Sequence, residues 1–141
     1  MSWFRDRAAL RQWSPYCSFP LDPARFPEEI GLPRLASRAL VDARGTLLGF
    51  GQYSAFQECC HLSHLVIAPE RRGQGLGRAL IQLLAAEGTA ALGLDRLSLF
   101  VLRDNLAALR LYLRLGFDFA PFHDIVALHE AKMYYLRRDW P

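Results

Sequence analysis

HLSHLVIAPERRGQGLGR, residues 61–78, reads as a buried strand, a glycine-rich turn and the first turn of a helix. Leu62, Leu65, Val66 and Ile67 form a short apolar run of strand type. Ala68-Pro69 ends it, because proline has no N–H to give a ladder and restricts the residue before it. Gly73, Gly75 and Gly77 then alternate, and Leu80, Leu83 and Leu84 recur behind them at helical spacing. Such a turn aims several backbone N–H groups at one spot, at the positive end of a helix, which makes an anion site for phosphate or pyrophosphate. Arg71, Arg72 and Arg78 add cationic side chains around it. The lysine and Ser/Thr of a P-loop are missing, and the G-x-G-x-G run is not the dinucleotide fingerprint.

Arg72-Gly73-Gln74-Gly75-Leu76-Gly77 resembles the (Q/R)-x-x-G-x-(G/A) acetyl-CoA loop of the GNAT superfamily of N-acetyltransferases. Downstream, Asn105 to Phe117, NLAALRLYLRLGF, is similar to that family's N-x-x-A-x-x-x-Y-x-x-x-G-F segment. The two motifs stand in the family's order, and the likeness covers roughly residues 38–136. It implies acetyl-CoA as cosubstrate, no metal, and direct attack of a primary amine on the thioester. By the same resemblance, backbone groups of Leu65, Val66 and Ile67 pair with pantetheine. Arg72, Gly73, Gln74, Gly75, Leu76, Gly77 and Arg78 hold the pyrophosphate, Asn105 contacts the pantetheine arm, and Tyr112 is the general acid. Read without the resemblance, Asn105 is equally a helix N-cap following Asp104, and Tyr112 an aromatic covering Leu109 and Leu115.

The base is carried over less evenly. The ribosomal-protein N-terminal acetyltransferases place a glutamate on the strand before the asparagine, where this chain has Phe100. Histone acetyltransferases place one on the central strand, where counting back from Arg72 reaches His61. Arylalkylamine N-acetyltransferases have a histidine there and a second two residues on, here Ser63. His61 is therefore the candidate base, since a histidine titrates near neutrality; a strand histidine bonded to backbone is the plain alternative. Strand alternation puts His64 on the opposite face. Glu58 and a water chain without a dedicated base stay open.

The rest of the chain sets the frame. Its 141 residues suit one domain, 1–141, around one core. It is 52% hydrophobic with a net charge of +3, and the absence of polybasic blocks argues against nucleic acid and membrane partners. No signal peptide or long apolar run opens it, so a cytoplasmic protein is expected. Cys17, Cys59 and Cys60 form no disulfide framework and read as reduced thiols. Neighbouring strand thiols point apart, so Cys59-Cys60-His61 is a poor zinc site.

Aromatics and prolines share residues 1–37, where only Ala8–Trp13 offers a first strand and Asp22–Ile30 one short helix. That segment either caps the core or walls the acceptor pocket. A hairpin is expected over 38–42 and 47–53, with Gly49 and Gly51 marking a bulge or close approach. The central strand spans about 60–67, a helix runs from Arg78 to Glu87 and stops at Gly88, and a strand covers 96–101. A helix follows over Asn105–Leu115, then an antiparallel pair at Phe117–Phe119 and Lys132–Arg137. The expected architecture is α/β, a mixed, mostly antiparallel sheet with helices on both faces; the resemblance adds a splayed central strand pair. The function implied is acetyl transfer to an amine of a small molecule or peptide, by a monomer or homodimer. The opposing reading is a non-catalytic acyl-CoA-binding or interaction module on the same fold.

Overall fold

The structure is a computed structural model, and it describes residues 3–4, 6–14 and 22–141. Tyr16 and Phe19, aromatics of the segment read above as either capping the core or walling the acceptor pocket, and Cys17, read as a reduced thiol, lie outside the described residues. The elements are α1 (Arg7–Trp13), α2 (Phe26–Glu29), β1 (Ala36–Val41), β2 (Leu47–Phe56), β3 (Cys59–Ile67) and α3 (Leu76–Leu92). They are followed by β4 (Arg96–Leu102), α4 (Leu106–Arg114), β5 (Asp118–Phe119), α5 (Ile125–Glu130) and β6 (Met133–Asp139).

Six strands make one sheet in the order β1-β2-β3-β4-β6-β5. Every neighbouring pair is antiparallel except β3–β4. That parallel pair is short: only Cys60↔Leu97 and His61↔Ser98 are in register, although β3 runs on to Ile67 and β4 to Leu102. The two central strands therefore part, and the end of β3 has no strand beside it on the β4 side.

The core lies between the sheet and α3. Leu80, Ile81, Leu84 and Ala85 of α3 pack on Tyr53, Cys60, Leu62, Leu97, Leu99, Val101, Phe117 and Leu136. Cys60 and Leu62 on β3, and Leu97, Leu99 and Val101 on β4, sit at alternate strand positions, so one face of the sheet is apolar. On the other face, Leu10 of α1 and Phe4 just before it pack against Val66, with Trp3, Trp13 and Phe50 around them.

Several local expectations are corrected. Ala8–Trp13 is helical, because the Asp6 carboxylate accepts from the Ala9 N–H at 2.8 Å and caps a helix with Leu10 buried beneath it. Asp22–Ile30 is not one helix but a turn leading into the four-residue α2. Gly88 does not stop α3, which continues to Leu92 and ends at Gly93 with φ +67°. A Cβ at Gly88 would lie 2.6 Å from Cys60 Sγ and 3.0 Å from the Tyr53 ring, so this glycine serves close helix–sheet contact. The helix α5 carried no strong sequence pattern; Asp124 caps it by accepting from the Ala127 N–H at 2.9 Å.

The bulge suspected from Gly49 and Gly51 is present. Phe50 pairs with Val66 and Gln52 with Ser63, so His64 and Leu65 together oppose Gly51. His64 takes the turn with φ +51°. Gly51 is required by contact: a Cβ there would meet Leu84 Cδ1 at 2.5 Å and Leu65 Cδ2 at 2.9 Å.

Candidate functional site

A cleft of about 870 Å³ opens where β3 and β4 part. It runs from the glycine turn, between α3 and α4, past the end of β3, to Phe4 and Trp13 on the α1 side. Leu65, Val66 and Ile67 line it, and their β4-facing backbone has no ladder partner in the sheet. An extended amide chain laid there meets the donors and acceptors a neighbouring strand would have met.

At the other end of the cleft stand Arg72, Gly73, Gly75, Leu76, Gly77 and Arg78; Gln74 is exposed and outside the wall. Gly73 (φ +77°) and Gly75 (φ +79°) are left-handed, and nothing lies within 4 Å of where a Cβ would point. Gly75 caps α3 without a side-chain hydrogen bond, and the first turn of α3 contains no acid. The first N–H groups of a 17-residue helix thus meet the cleft without a carboxylate to satisfy them. Gly77 lets α4 approach, since its Cβ would sit 3.2 Å from Leu111 Cδ2. Arg72 Nε donates to the Ile67 carbonyl at 3.1 Å and ties the turn to the strand end. Arg71, also on the wall, faces Asp42 at 3.9 Å. The turn, the free helix end and the arginines fit a pyrophosphate, and the unpaired strand end fits a pantetheine-like arm.

Asn105 lines the cleft and also caps α4, its side-chain oxygen accepting from the Ala108 N–H at 3.4 Å. Tyr112 lies one helical stretch further on, on the cleft wall, with its ring 6.1 Å from that of Phe117. Burial pushes its phenol up to about 12, so it holds its proton throughout the neutral range.

The two histidines change places relative to the sequence expectation. His61 is 8% exposed and does not line the cleft. Its Nδ1 is 2.8 Å from Ser98 Oγ, and its ring packs edge-on to Phe56 and Phe100 at 5.0 and 5.1 Å. Burial pushes it down to about 4, helped by His64, so it does not titrate near neutrality.

His64, expected on the opposite face, lines the cleft. The bulge turns it onto the face of Gln52, where its Nδ1 hydrogen-bonds Gln52 Oε1 and its Nε2 pairs with Ser14 Oγ at 2.9 Å. Because Gln52 Nε2 donates to Ser37 Oγ at 3.0 Å, Gln52 Oε1 is left to accept and His64 Nδ1 to donate. His64 Nε2 then accepts from the Ser14 hydroxyl. Burial pushes His64 down to about 4, in keeping with this neutral tautomer. Sequence reading missed His64 because a one-residue bulge inverts which side of the strand a residue faces; the paired glycines were the available signal. Ser63, also on the wall, has its Oγ shielded from solvent without a protein partner. Among the described residues no cluster of three or more metal-ligating side chains occurs, and no helix is long and apolar enough to cross a membrane.

The sequence pattern of the acetyltransferase (GNAT) family matches residues 6–117. The mycothiol acetyltransferase of Thermobispora bispora is 35% identical over 123 residues, covering 82% of this chain and 36% of that protein. The chain spans 29% to 42% of the length of the curated relatives it matches. A Bacillus subtilis acetyltransferase in complex with CoA superposes with a TM-score of 0.67 at 18% identity, over 85% of this chain and 86% of that one. A Bacillus anthracis protein in complex with acetyl-CoA gives 0.64 at 15% identity, over 76% of this chain and 63% of that one. At such identities these structures speak for the fold. The chain belongs to the acetyltransferase (GNAT) family.

Proposed function

We propose that this member of the GNAT family is an acetyl-CoA-dependent N-acetyltransferase that acetylates a primary amine of a small molecule or peptide by direct attack. One observation carries the reading: the unpaired end of β3 opens onto a cleft that finishes at the uncapped N-terminus of α3. Acetyl-CoA supplies an activated thioester. Backbone groups of Leu65, Val66 and Ile67 hold its arm, and an N–H among them polarises the thioester carbonyl. Arg72, Gly73, Gly75, Leu76, Gly77 and Arg78 bind the pyrophosphate, with Gln74 contributing its backbone. Asn105 orients the arm while capping α4. The amine nitrogen forms its bond to the acetyl carbon as the carbon–sulfur bond breaks. The proton that acylation leaves in excess on nitrogen goes to water, and Tyr112 hydrogen-bonds the departing thiolate or protonates it and regains its proton from water.

His61 is better read as a positioning residue that holds Ser98 and packs on Phe56 and Phe100 than as a base. Its depressed proton affinity and its place outside the cleft support this. The nitrogen then loses its proton to water on entering the cleft. We place the activity in the cytoplasm, in keeping with the buried free thiols of Cys59 and Cys60.

The test is free-thiol release from acetyl-CoA across a panel of amines, with acetyl-CoA binding followed by calorimetry. Turnover with any amine supports the reading. Binding without thiol release from any member would favour the non-catalytic acyl-CoA-binding module, for which the removal of His61 from the cleft is the favouring observation.

A further inference from the structure

We propose that the acceptor is a monoamine with a flat, apolar body and no second positive charge, taken up as the free base against Trp13, Phe4 and Phe100. This rests on the acetyltransferase reading above and names the acceptor that the same cleft selects.

The first support is the charge of the wall. All 14 acidic residues of the chain lie among the described residues, and none lines the cleft. Its charged side chains are Arg71, Arg72, Arg78 and Arg114. The nearby acids are engaged elsewhere: Asp42 faces Arg71 at 3.9 Å, and Asp104 pairs with Arg11 of α1 at 3.2 Å. Residues 15–21, PYCSFPL, contain no acid in sequence. A second ammonium held on the acceptor side of this cleft would have no carboxylate to offset its lost hydration.

The second support is the surface offered on the α1 side. The Trp13 indole is 4.8 Å from the Phe4 ring and 5.8 Å from Phe26, stacked on the latter. Its Nε1 donates to the His64 carbonyl at 2.7 Å, so the ring is fixed before any ligand arrives. Phe100, at the sheet end of the cleft, is held by Phe122 at 5.3 Å and Tyr135 at 5.3 Å. A preformed aromatic surface rewards a flat apolar body.

The third is the polar group left for the nitrogen. Ser63 Oγ is shielded from solvent and has no protein partner, while the neighbouring His64 is committed to Ser14 and Gln52. A neutral amine hydrogen-bonds a hydroxyl at little cost; an ammonium would require a charge opposite it.

The experiment uses the whole chain with acetyl-CoA and three acceptors: 2-phenylethylamine, hexylamine and 1,6-diaminohexane. Thiol release should give kcat/KM for 2-phenylethylamine about 10-fold above hexylamine and about 100-fold above the diamine. Calorimetry without acetyl-CoA should rank the three in the same order. A diamine equal to or better than hexylamine in both readouts overturns the proposal while leaving the acetyltransferase reading intact. No thiol release from any of the three overturns the proposal, and release or silence across the wider amine panel then decides the acetyltransferase reading separately. Relative to Phe100→Gln, Phe100→Glu should raise kcat/KM for the diamine about 10-fold more than for hexylamine. A carboxylate acting as a base would speed both amines alike, and only the diamine has a second charge for it to meet. Equal gains for the two amines would count against the proposal.

Discussion

The Trp13 indole donates to the backbone carbonyl of His64 across 2.7 Å, joining the last residue of α1 to the bulge of β3. That bond locks the entrance of the cleft to the strand whose free end forms its floor. Trp13→Phe keeps a ring but deletes the donor and leaves the carbonyl short of a partner. It should cost about 1–2 kcal/mol in denaturant unfolding. The acceptor KM should rise about 5–10-fold with kcat little changed, as for lost binding that is uniform along the reaction. A fall in kcat at constant KM would instead place Trp13 among groups acting only in the transition state.

Tyr112→Phe should lower kcat about 10–100-fold while the KM for acetyl-CoA moves by less than about 2-fold. With its phenol near 12, Tyr112 stays protonated well above neutrality, so no alkaline limb below about pH 10 should vanish with the substitution. An unchanged kcat would remove Tyr112 as the acid.

Gly75→Ala isolates the conformation of the glycine turn proposed to hold the pyrophosphate. Space for a methyl exists, so the cost comes from a left-handed φ of +79°, about 1 kcal/mol in stability. The KM for acetyl-CoA should rise about 10-fold as the helix N–H groups shift, with calorimetry showing the same loss of affinity. Tight binding retained by the variant would mean that the turn does not hold the phosphates.

Gly88→Ala adds a methyl where Cys60 Sγ and the Tyr53 ring already stand at 2.6 and 3.0 Å. Alanine gains about 1 kcal/mol of helix propensity, but overpacking should outweigh it and leave a net loss of about 1–2 kcal/mol. Thermal melting reads this directly, and a stabilised variant would show that the sheet gives way easily.

Acid should loosen the fold through its two buried histidines. Both are pushed down to about 4 by burial, from an ordinary 6.5. Between those values the unfolded chain binds the extra protons, so stability rises with pH across this window. It is complete above pH 6.5 and lost as pH falls towards 4, at about 3 kcal/mol for each histidine. Melting temperatures from pH 4 to 7 should show this slope, and His61→Leu should flatten about half of it. A wild-type profile flat over that range would mean that the two imidazoles stay hydrated.

The sequence by itself determined the elements built from contiguous residues: the central strand, the glycine turn, the helix behind it and the Asn105 segment. It also determined which side chains were available to the cleft, including the lack of any acid at 15–21. Tertiary structure decided the rest. Alternation along β3 predicts the face of His64 only until one extra residue opposes Gly51, and that bulge is a property of two strands together. Gly88 looks like a helix stop because glycine's local cost is legible, whereas the demand for a bare Cα beside Cys60 and Tyr53 comes from residues 28 and 35 positions away. Arg11 and Asp104, 93 positions apart, meet only after folding. Charge and burial depend on neighbours in space, so the acid-free wall and the neutral histidines emerge only when the strands, α1 and α4 converge.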